Sequence, residues 1–130
     1  MPNLNKASLY QTKARQHLGE LAETKALDYL QTQGFTLLHR NFRCKMGEID
    51  LIGVYQNQLI FIEVRLRKND AYGGAIDSVD FRKQQKLKRT AQFFLVFNPK
   101  FEHFTCRFDV VAVTLQQGQL SLEWIQDAFY

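Results

Sequence analysis

A chain of 130 residues, 45% hydrophobic and 13% aromatic, is long enough for one domain with a substantial core, which argues against two domains and against intrinsic disorder. Its apolar runs fall short of the ~18 residues that a membrane-spanning helix requires, and its polar N-terminus and two isolated cysteines predict a cytoplasmic protein. The formal charge of +4, from 17 basic and 13 acidic residues, allows a polyanionic partner but does not require one.

The first predicted element is a helix that begins at Ala14 and stops at Gly34. Residues 1–13 before it are predicted to form a flexible polar leader, and residues 14–130 a single α/β domain. The helix is indicated by apolar residues that recur at helical spacing: Leu18, Leu21, Ala22, Ala26, Tyr29 and Leu30.

The remaining elements complete an α-β-β-β-α-β-β order. A second helix is predicted from Ser78, as the N-cap, to Phe97, where Asn98 and Pro99 end it. Alternating and β-branched residues predict strands over residues 35–42, 47–54, 58–66, 105–115 and 120–125. We therefore expect an α/β fold with a central mixed sheet of about five strands, flanked by helices.

Two acidic residues fall on the hairpin formed by the second and third predicted strands. If its turn is centred between Gln56 and Asn57, opposite residues have numbers that sum to 113, which places Asp50 opposite Glu63. The same register matches apolar residues, with Val54 opposite Leu59 and Ile52 opposite Phe61, and it leaves residues 60, 62, 64 and 66 on the fully buried face.

Two carboxylates that face each other are unstable unless a cation lies between them. A divalent ion with oxygen ligands is one solution, since Mg²⁺ usually takes one or two protein carboxylates. Separate ion pairs of Asp50 and Glu63 with Arg or Lys are the other solution, and spacing alone does not decide between them. Glu48 is similarly open, either as an outer ligand or as a partner of Arg65 across the hairpin.

A set of segments spread over residues 15–130 forms one ordered pattern. These segments are Gly19-Glu20 through Tyr29-Leu30, Gly34-Phe35, Asn41-Phe42-Arg43, Gly47-Glu48-Ile49-Asp50-Leu51-Ile52, Phe61-Ile62-Glu63-Val64-Arg65, Lys83-Gln84, Arg107-Phe108-Asp109-Val110, and Trp124-Ile125 with Ala128-Phe129. Together they resemble the YraN-type family, uncharacterised protein family 0102.

The resemblance implies a restriction-endonuclease-like core of the PD-(D/E)XK nuclease superfamily, similar to Holliday-junction resolvases. It implies that Glu20, Asp50 and Glu63 hold Mg²⁺ (or Mn²⁺) and that position 65 assists the attacking water. That position usually holds lysine, whereas Arg65 cannot act as a general base. Arg65 can still grip a phosphate and stabilise its developing charge.

The second predicted helix carries a run of cations. Lys83 lies four residues before Leu87 on the apolar stripe, so Lys83, with Gln84, is a further candidate for the site. The residues predicted to contact nucleic acid are Arg43, Lys45, Arg67, Lys68, Arg82, Lys86 and Arg89.

Three functions are compatible with these residues. The first is a metal-dependent endonuclease acting on duplex or branched DNA, where the branched preference and an optional homodimer come from the resolvase likeness. The second is a catalytically silent DNA-binding module with the same fold, which Arg65 favours. The third is an adaptor that binds another protein. No membrane role is expected.

Overall fold

The computed structural model describes the backbone of residues 6–67 and 78–130, and the side chains of residues 13–67 and 78–130. The helices are α1 (Lys6–Thr32) and α2 (Phe81–Phe97), with a short 3₁₀ helix at Pro99–Phe101. The strands are β1 (Thr36–Cys44), β2 (Gly47–Tyr55), β3 (Gln58–Arg67), β4 (Cys106–Gln116) and β5 (Gln119–Phe129).

The strands form one five-stranded sheet in the order β1-β2-β3-β4-β5. The β3–β4 pair is parallel, and the other pairs are antiparallel. A parallel neighbour requires a crossover rather than a tight turn, and α2 lies in the connection between β3 and β4. The predicted α/β class, mixed sheet and α-β-β-β-α-β-β order are therefore confirmed.

The two helices cover opposite faces of the sheet. On one face, α1 buries Ala26 and Leu30 against Ile60 and Ile62; on the other, α2 packs against Leu59, Phe61 and their neighbours. All four β3 residues are at most 2% exposed. Of the face predicted to be fully buried, Ile60 and Ile62 are buried but Val64 and Leu66 are half-buried. The opposite face is buried as well at Leu59 and Phe61, because a central strand with a parallel neighbour has a helix on each side.

The β2–β3 hairpin has the register that sums to 113. Leu59 lies opposite Val54, and Phe61 opposite Ile52. Both central turn residues have positive φ, 50° at Gln56 and 63° at Asn57, as a two-residue type I′ turn requires. The apolar pairs therefore fix the register although the turn lacks the preferred glycine.

Both helices begin at residues other than the predicted ones. Helix α1 already includes Lys6, so residues 6–13, predicted as a flexible leader, are helical, whereas residues 1–5 lie outside the described part. Helix α2 begins at Phe81, and its N-cap is Asp80 rather than Ser78; the Asp80 carboxylate accepts the Lys83 backbone N–H at 2.9 Å. Within the described residues, no helix combines the length and apolar character needed to cross a bilayer.

Candidate active site

Asp50 lies where strands β2 and β3 stop pairing. The last backbone partners are Leu51 and Ile62, and just beyond them the Asp50 carboxylate accepts the Val64 N–H at 2.8 Å. The alternation of faces along β2 is interrupted here, because Ile49 and Ile52, three residues apart, pack in the same core cluster on the α2 side. The irregularity lets the Asp50 side chain reach the backbone of β3.

The carboxyl groups of Asp50 and Glu63 meet in a side-chain hydrogen bond. Burial raises the pKa of Asp50 to about 6, an effect that the Val64 N–H opposes and the charges of Glu23 and Glu48 reinforce. Burial, followed by the Asp50 charge, raises the pKa of Glu63 to about 8. The pair therefore retains a proton near neutral pH, as two buried acids in contact must unless a cation replaces it.

The donor set fits a hard divalent cation. Two carboxylates are the usual protein contribution to a Mg²⁺ site, whose other positions are taken by water and phosphate oxygens. Among the side chains of residues 13–67 and 78–130, no three from His, Cys, Asp and Glu are grouped closely enough to hold a metal. A metal here would thus be held by Asp50 and Glu63 and left open to substrate.

The α1 carboxylate whose charge raises the pKa of Asp50 is Glu23, three residues after the predicted Glu20. Glu20 is exposed, nearly one turn earlier on the helix. The Glu23 side chain is 14% exposed, its charge raises the pKa of Asp50, and its Oε1 accepts from Arg40 Nε at 3.0 Å. Arg40 also donates to Thr24 Oγ1 at 2.9 Å, which ties α1 to β1 beside the pair.

Arg65 and Lys83 both reach Ser78, at the entrance to α2. Arg65 Nε donates to Ser78 Oγ at 3.1 Å, and its Nη1 lies 3.9 Å from Glu63 Oε1. Lys83 Nζ donates to the Ser78 carbonyl at 3.3 Å. The two cations line a cavity of about 210 Å³ together with Glu48, Glu63, Val79, Lys86 and Leu87. The structure thus brings the predicted Arg65 and Lys83 to Glu63.

Glu48 lines this cavity but does not pair with Arg65 as one interpretation expected. Its Oε2 accepts from Arg43 Nε at 2.9 Å, across the β1–β2 ladder, where the two residues are direct partners. Both side chains are more than half exposed. Arg65 instead contacts Glu63 and Ser78, so the register that places it opposite Glu48 does not extend beyond the end of the β2–β3 pairing.

Gln84 forms hydrogen bonds with backbone carbonyl groups and does not line the cavity. Its Nε2 donates to the Val79 carbonyl at 2.9 Å, and its own N–H donates to the Asp80 carbonyl at 2.9 Å. It is not among the residues that line the cavity. These contacts place Gln84 against the backbone at the start of α2, and its predicted role in the site stays a prediction.

The cations predicted to bind nucleic acid occupy two regions beside the cavity. Arg43 and Lys45 are exposed at the end of β1 and in the β1–β2 turn. Arg82, Lys86 and Arg89 are exposed on α2, where they line one groove. Arg67 is half-buried at the end of β3, and Lys68 lies outside the described residues.

Gly47 lets the β1–β2 turn approach α2 closely. Its φ of +147° is one that side-chain-bearing residues rarely adopt. A Cβ there would lie 3.0 Å from Thr90 Oγ1 and 3.2 Å from Lys86 Cε. Glycine at this position therefore brings the start of β2, with Glu48, against the basic face of α2.

A second buried acid, Asp109 on β4, has a different environment. Its side chain is fully buried and accepts from Arg107 Nε and Nη2, each at 2.8 Å. It also accepts from Trp124 Nε1 at 2.8 Å and from the Asp127 N–H at 2.9 Å. Arg107 continues to Gln58 Oε1 at 2.9 Å. This network explains the Arg107-Phe108-Asp109 segment as a structural motif that joins β3, β4 and β5.

Comparison with known proteins places most of the chain in one family. The family model described as uncharacterised protein family UPF0102 matches residues 22–113. The chain belongs to this family. Its relatives include UPF0102 proteins from Pseudomonas fluorescens, 49% identical over 88% of this chain and 96% of the relative, and from Saccharophagus degradans, 50% identical over 85% and 91%. The matched region of this UPF0102 chain includes Glu23, Asp50 and Glu63 but not Glu20.

A solved structure is also similar. It is the crystal structure of a repair endonuclease from Pyrococcus abyssi, with a TM-score of 0.41 and 21% sequence identity over 75% of this chain. The match spans 39% of the endonuclease, so this UPF0102 chain corresponds to about two fifths of its length.

Proposed function

We propose that this UPF0102 protein is a metal-dependent DNA endonuclease that hydrolyses phosphodiester bonds, with Mg²⁺ or Mn²⁺ held by Asp50 and Glu63. The observation that carries the proposal is the hydrogen-bonded pair of half-buried carboxyl groups with raised pKa values, beside a cavity lined by Arg65 and Lys83. Buried acids without full compensation are typical of functional sites. The nuclease resemblance of the sequence supports the same chemistry.

The protein groups divide the work of hydrolysis among them. Asp50 and Glu63 would hold the ion, which supplies a water of lowered pKa and offsets phosphate charge when bound. Glu23, held by Arg40, adds negative charge beside Asp50 and so favours a cation there. Glu23 is therefore part of the proposed site, and the role of Glu20 stays a prediction.

Two of the cavity cations, Arg65 and Lys83, act on the phosphate. The Arg65 guanidinium can donate two parallel hydrogen bonds to non-bridging oxygens, and the Lys83 ammonium adds a second positive charge. Both are anchored through Ser78, so little reorganisation is needed as charge develops in the transition state. Neither serves as the base in this scheme.

A catalytically silent DNA-binding module is the second candidate, and Arg65 favours it. A guanidinium cannot take a proton from water, so water activation would depend on the ion alone. Such a module would keep the exposed cations of α2 and bind DNA with strong salt dependence. A branched-DNA preference and a homodimer remain predictions from the resolvase likeness.

A cleavage assay separates the two candidates. Supercoiled plasmid, linear duplex and a four-way junction would be incubated with the protein and Mg²⁺ or Mn²⁺. Asp50→Asn and Glu63→Gln should each slow cleavage at least about a hundredfold, because they remove several kcal/mol of transition-state stabilisation. Glu102→Gln is the matched control, because it changes an exposed carboxylate that does not line the cavity, and it should leave the rate unchanged.

Each contrary outcome has a defined meaning. Salt-dependent binding without metal-dependent cleavage supports the silent module and rejects the nuclease. Cleavage that survives both substitutions contradicts the assignment of the carboxylate pair. Absence of DNA binding rejects both candidates and leaves the protein-binding adaptor.

A further inference from the structure

An exposed phenylalanine occupies the first position of α2. Phe81 is 73% exposed, and it immediately follows the N-cap Asp80. The apolar stripe of α2 that faces the sheet consists of Leu87, Ala91 and Phe94, and Phe81 is not part of that core cluster. The fold therefore does not use the Phe81 ring for packing in its core.

The ring borders a groove of mixed apolar and basic character. The groove has a volume of about 400 Å³ and is lined by Met46, Phe81, Arg82, Gln85, Lys86 and Arg89. Among the residues that the structure describes, its lining includes three cations and no carboxylate. Met46, from the β1–β2 turn, is 42% exposed and supplies the second apolar surface. Such a groove complements a ligand that combines anionic groups with a flat apolar face.

The groove is joined to the carboxylate site through one side chain. Lys86 lines this groove and also the cavity that contains Glu63 and Arg65. A sugar-phosphate backbone bound in the groove would therefore continue toward Asp50 and Glu63. Lys86, which lines both the groove and the cavity, carries the positive charge that a DNA backbone passing between them requires.

We propose that Phe81 and Met46 form a stacking platform for an unpaired base of DNA, so that the protein acts beside single-stranded nucleotides rather than within continuous duplex. The statement that cleavage occurs beside the unpaired base rests on the proposed function. Binding of the base itself can be tested without cleavage. An aromatic ring among cations is the usual arrangement for single-strand binding.

Base pairing determines whether a DNA base can stack on the Phe81 ring. In a continuous duplex each base is stacked between its neighbours, so its face is closed to a protein side chain unless the helix is wedged open. An unpaired base presents its face freely, and stacking on it tolerates any sequence because every base has a π-face. The favoured substrate is therefore DNA with an overhang, gap or branch adjacent to the scissile bond.

The test is equilibrium binding with a chelator present, so that no cleavage occurs. A fluorescent single strand, its blunt duplex and a duplex with an overhang would be titrated with the parent protein, Phe81→Ala and Phe81→Leu. We expect both variants to bind the single strand and the overhang roughly 5- to 150-fold more weakly, and to bind the blunt duplex as the parent does. Leucine preserves the apolar character but removes the π-face.

Two further variants make the result specific. Phe81→Trp should bind the single strand as tightly as the parent does. The fluorescence of the new tryptophan, after subtraction of the Trp124 signal measured in the parent, should be quenched by the single strand but not by the blunt duplex. Phe97→Ala removes a comparably exposed ring, 68% exposed, from the other end of α2 and should leave every affinity unchanged.

Three outcomes would overturn the platform. These are unchanged single-strand affinity in Phe81→Ala, an equal loss on blunt duplex, which would indicate a wedge, and an equal loss in Phe97→Ala. Because the chelator removes metal from the assay and Asp50 and Glu63 are intact, each outcome can be interpreted whether or not the protein cleaves DNA. Failure of the cleavage assay alone would leave the platform standing.

Discussion

Two acidic sites, one fully buried and one half-buried, lie on neighbouring strands of this sheet, and their surroundings differ. On β4, Asp109 is 1% exposed and accepts four hydrogen bonds, two of them from the Arg107 guanidinium. On β3, one position further along the parallel ladder, Glu63 contacts another carboxyl group, Asp50, and the Arg65 guanidinium lies 3.9 Å from the Glu63 carboxylate. The charge of Asp109 is fully balanced by its hydrogen-bond donors, whereas Asp50 and Glu63 face each other as two acids.

Compensation as well as burial separates the structural acid from the candidate catalytic acids, since the Asp109 side chain is fully buried whereas the Glu63 side chain is 21% exposed. A buried carboxylate with its own guanidinium and N–H donors is stable in its charged form and needs no ligand. Two buried carboxyl groups in contact are stable only with a shared proton or a cation. The pair therefore has a reason to bind metal that Asp109 does not have.

The largest effect is expected from breaking the compensated site. Asp109→Ala would leave the Arg107 guanidinium, 12% exposed, together with two N–H donors, without their buried acceptor. We expect a loss of about 3–5 kcal/mol in the free energy of unfolding, measured by urea denaturation. Asp28→Ala, at an exposed position on α1, is the control and should change stability by less than ~0.5 kcal/mol. A comparably small loss in Asp109→Ala would contradict the structural role.

A smaller effect, a dependence of stability on pH, is expected from the opposed pair of Asp50 and Glu63. The pKa of Glu63 in the folded protein, about 8, lies above its ordinary value of 4.5, so the folded state binds more protons than the unfolded state between these pH values. Metal-free protein should therefore lose stability as pH rises from about 4.5 to 8, by up to a few kcal/mol. Thermal unfolding in chelator across this range measures the loss.

Glu63→Gln sharpens this result because it removes the titrating group but keeps the shape. The variant should lose less stability over the same pH range and should be more stable than the parent at pH 8 without metal. Asp109→Ala should retain the pH dependence of the parent, since it leaves the pair unchanged. A parent protein whose stability rises from pH 5 to 8 in chelator would contradict the burial of two opposed acids.

The hairpin register could be predicted from the sequence because apolar residues matched across it. A slip of one residue would have placed Ile52 and Phe61 on the wrong faces, so burial selected the register in spite of an unfavourable turn sequence. The same argument fails beyond Leu51, where polar residues carry no such constraint. There the strands part, and Glu48 pairs with Arg43 instead of Arg65.

On α1 the sequence held a signal for a second acid, Glu23. Glu23 lies three, four and seven residues before Ala26, Leu27 and Leu30, all of them buried, and this spacing directs its side chain toward the sheet. Glu20 is exposed and shares only the seven-residue spacing, to Leu27. Its role as a metal ligand stays a prediction from the family resemblance.

Other features depend on geometry that spacing does not reveal. Ser78 and Asp80 are equally good N-caps by residue type, so only the Asp80 hydrogen bond to Lys83 distinguishes them. The Asp109 network requires the Asp127 N–H, delivered by a register irregularity near Phe108 and by a positive φ of 53° at Asp127. An irregularity of this kind is invisible to strand periodicity.

Calorimetric titration of Mn²⁺ into the metal-free protein tests the carboxylate pair most directly. The parent should bind one ion between these side chains, with proton release and with an affinity that rises as pH increases from about 6 to 8, because the shared proton must leave. Asp50→Asn and Glu63→Gln should each abolish that binding while remaining folded. Equal binding by the parent and both variants, or no binding by the parent at pH 8, would contradict a metal site at Asp50 and Glu63.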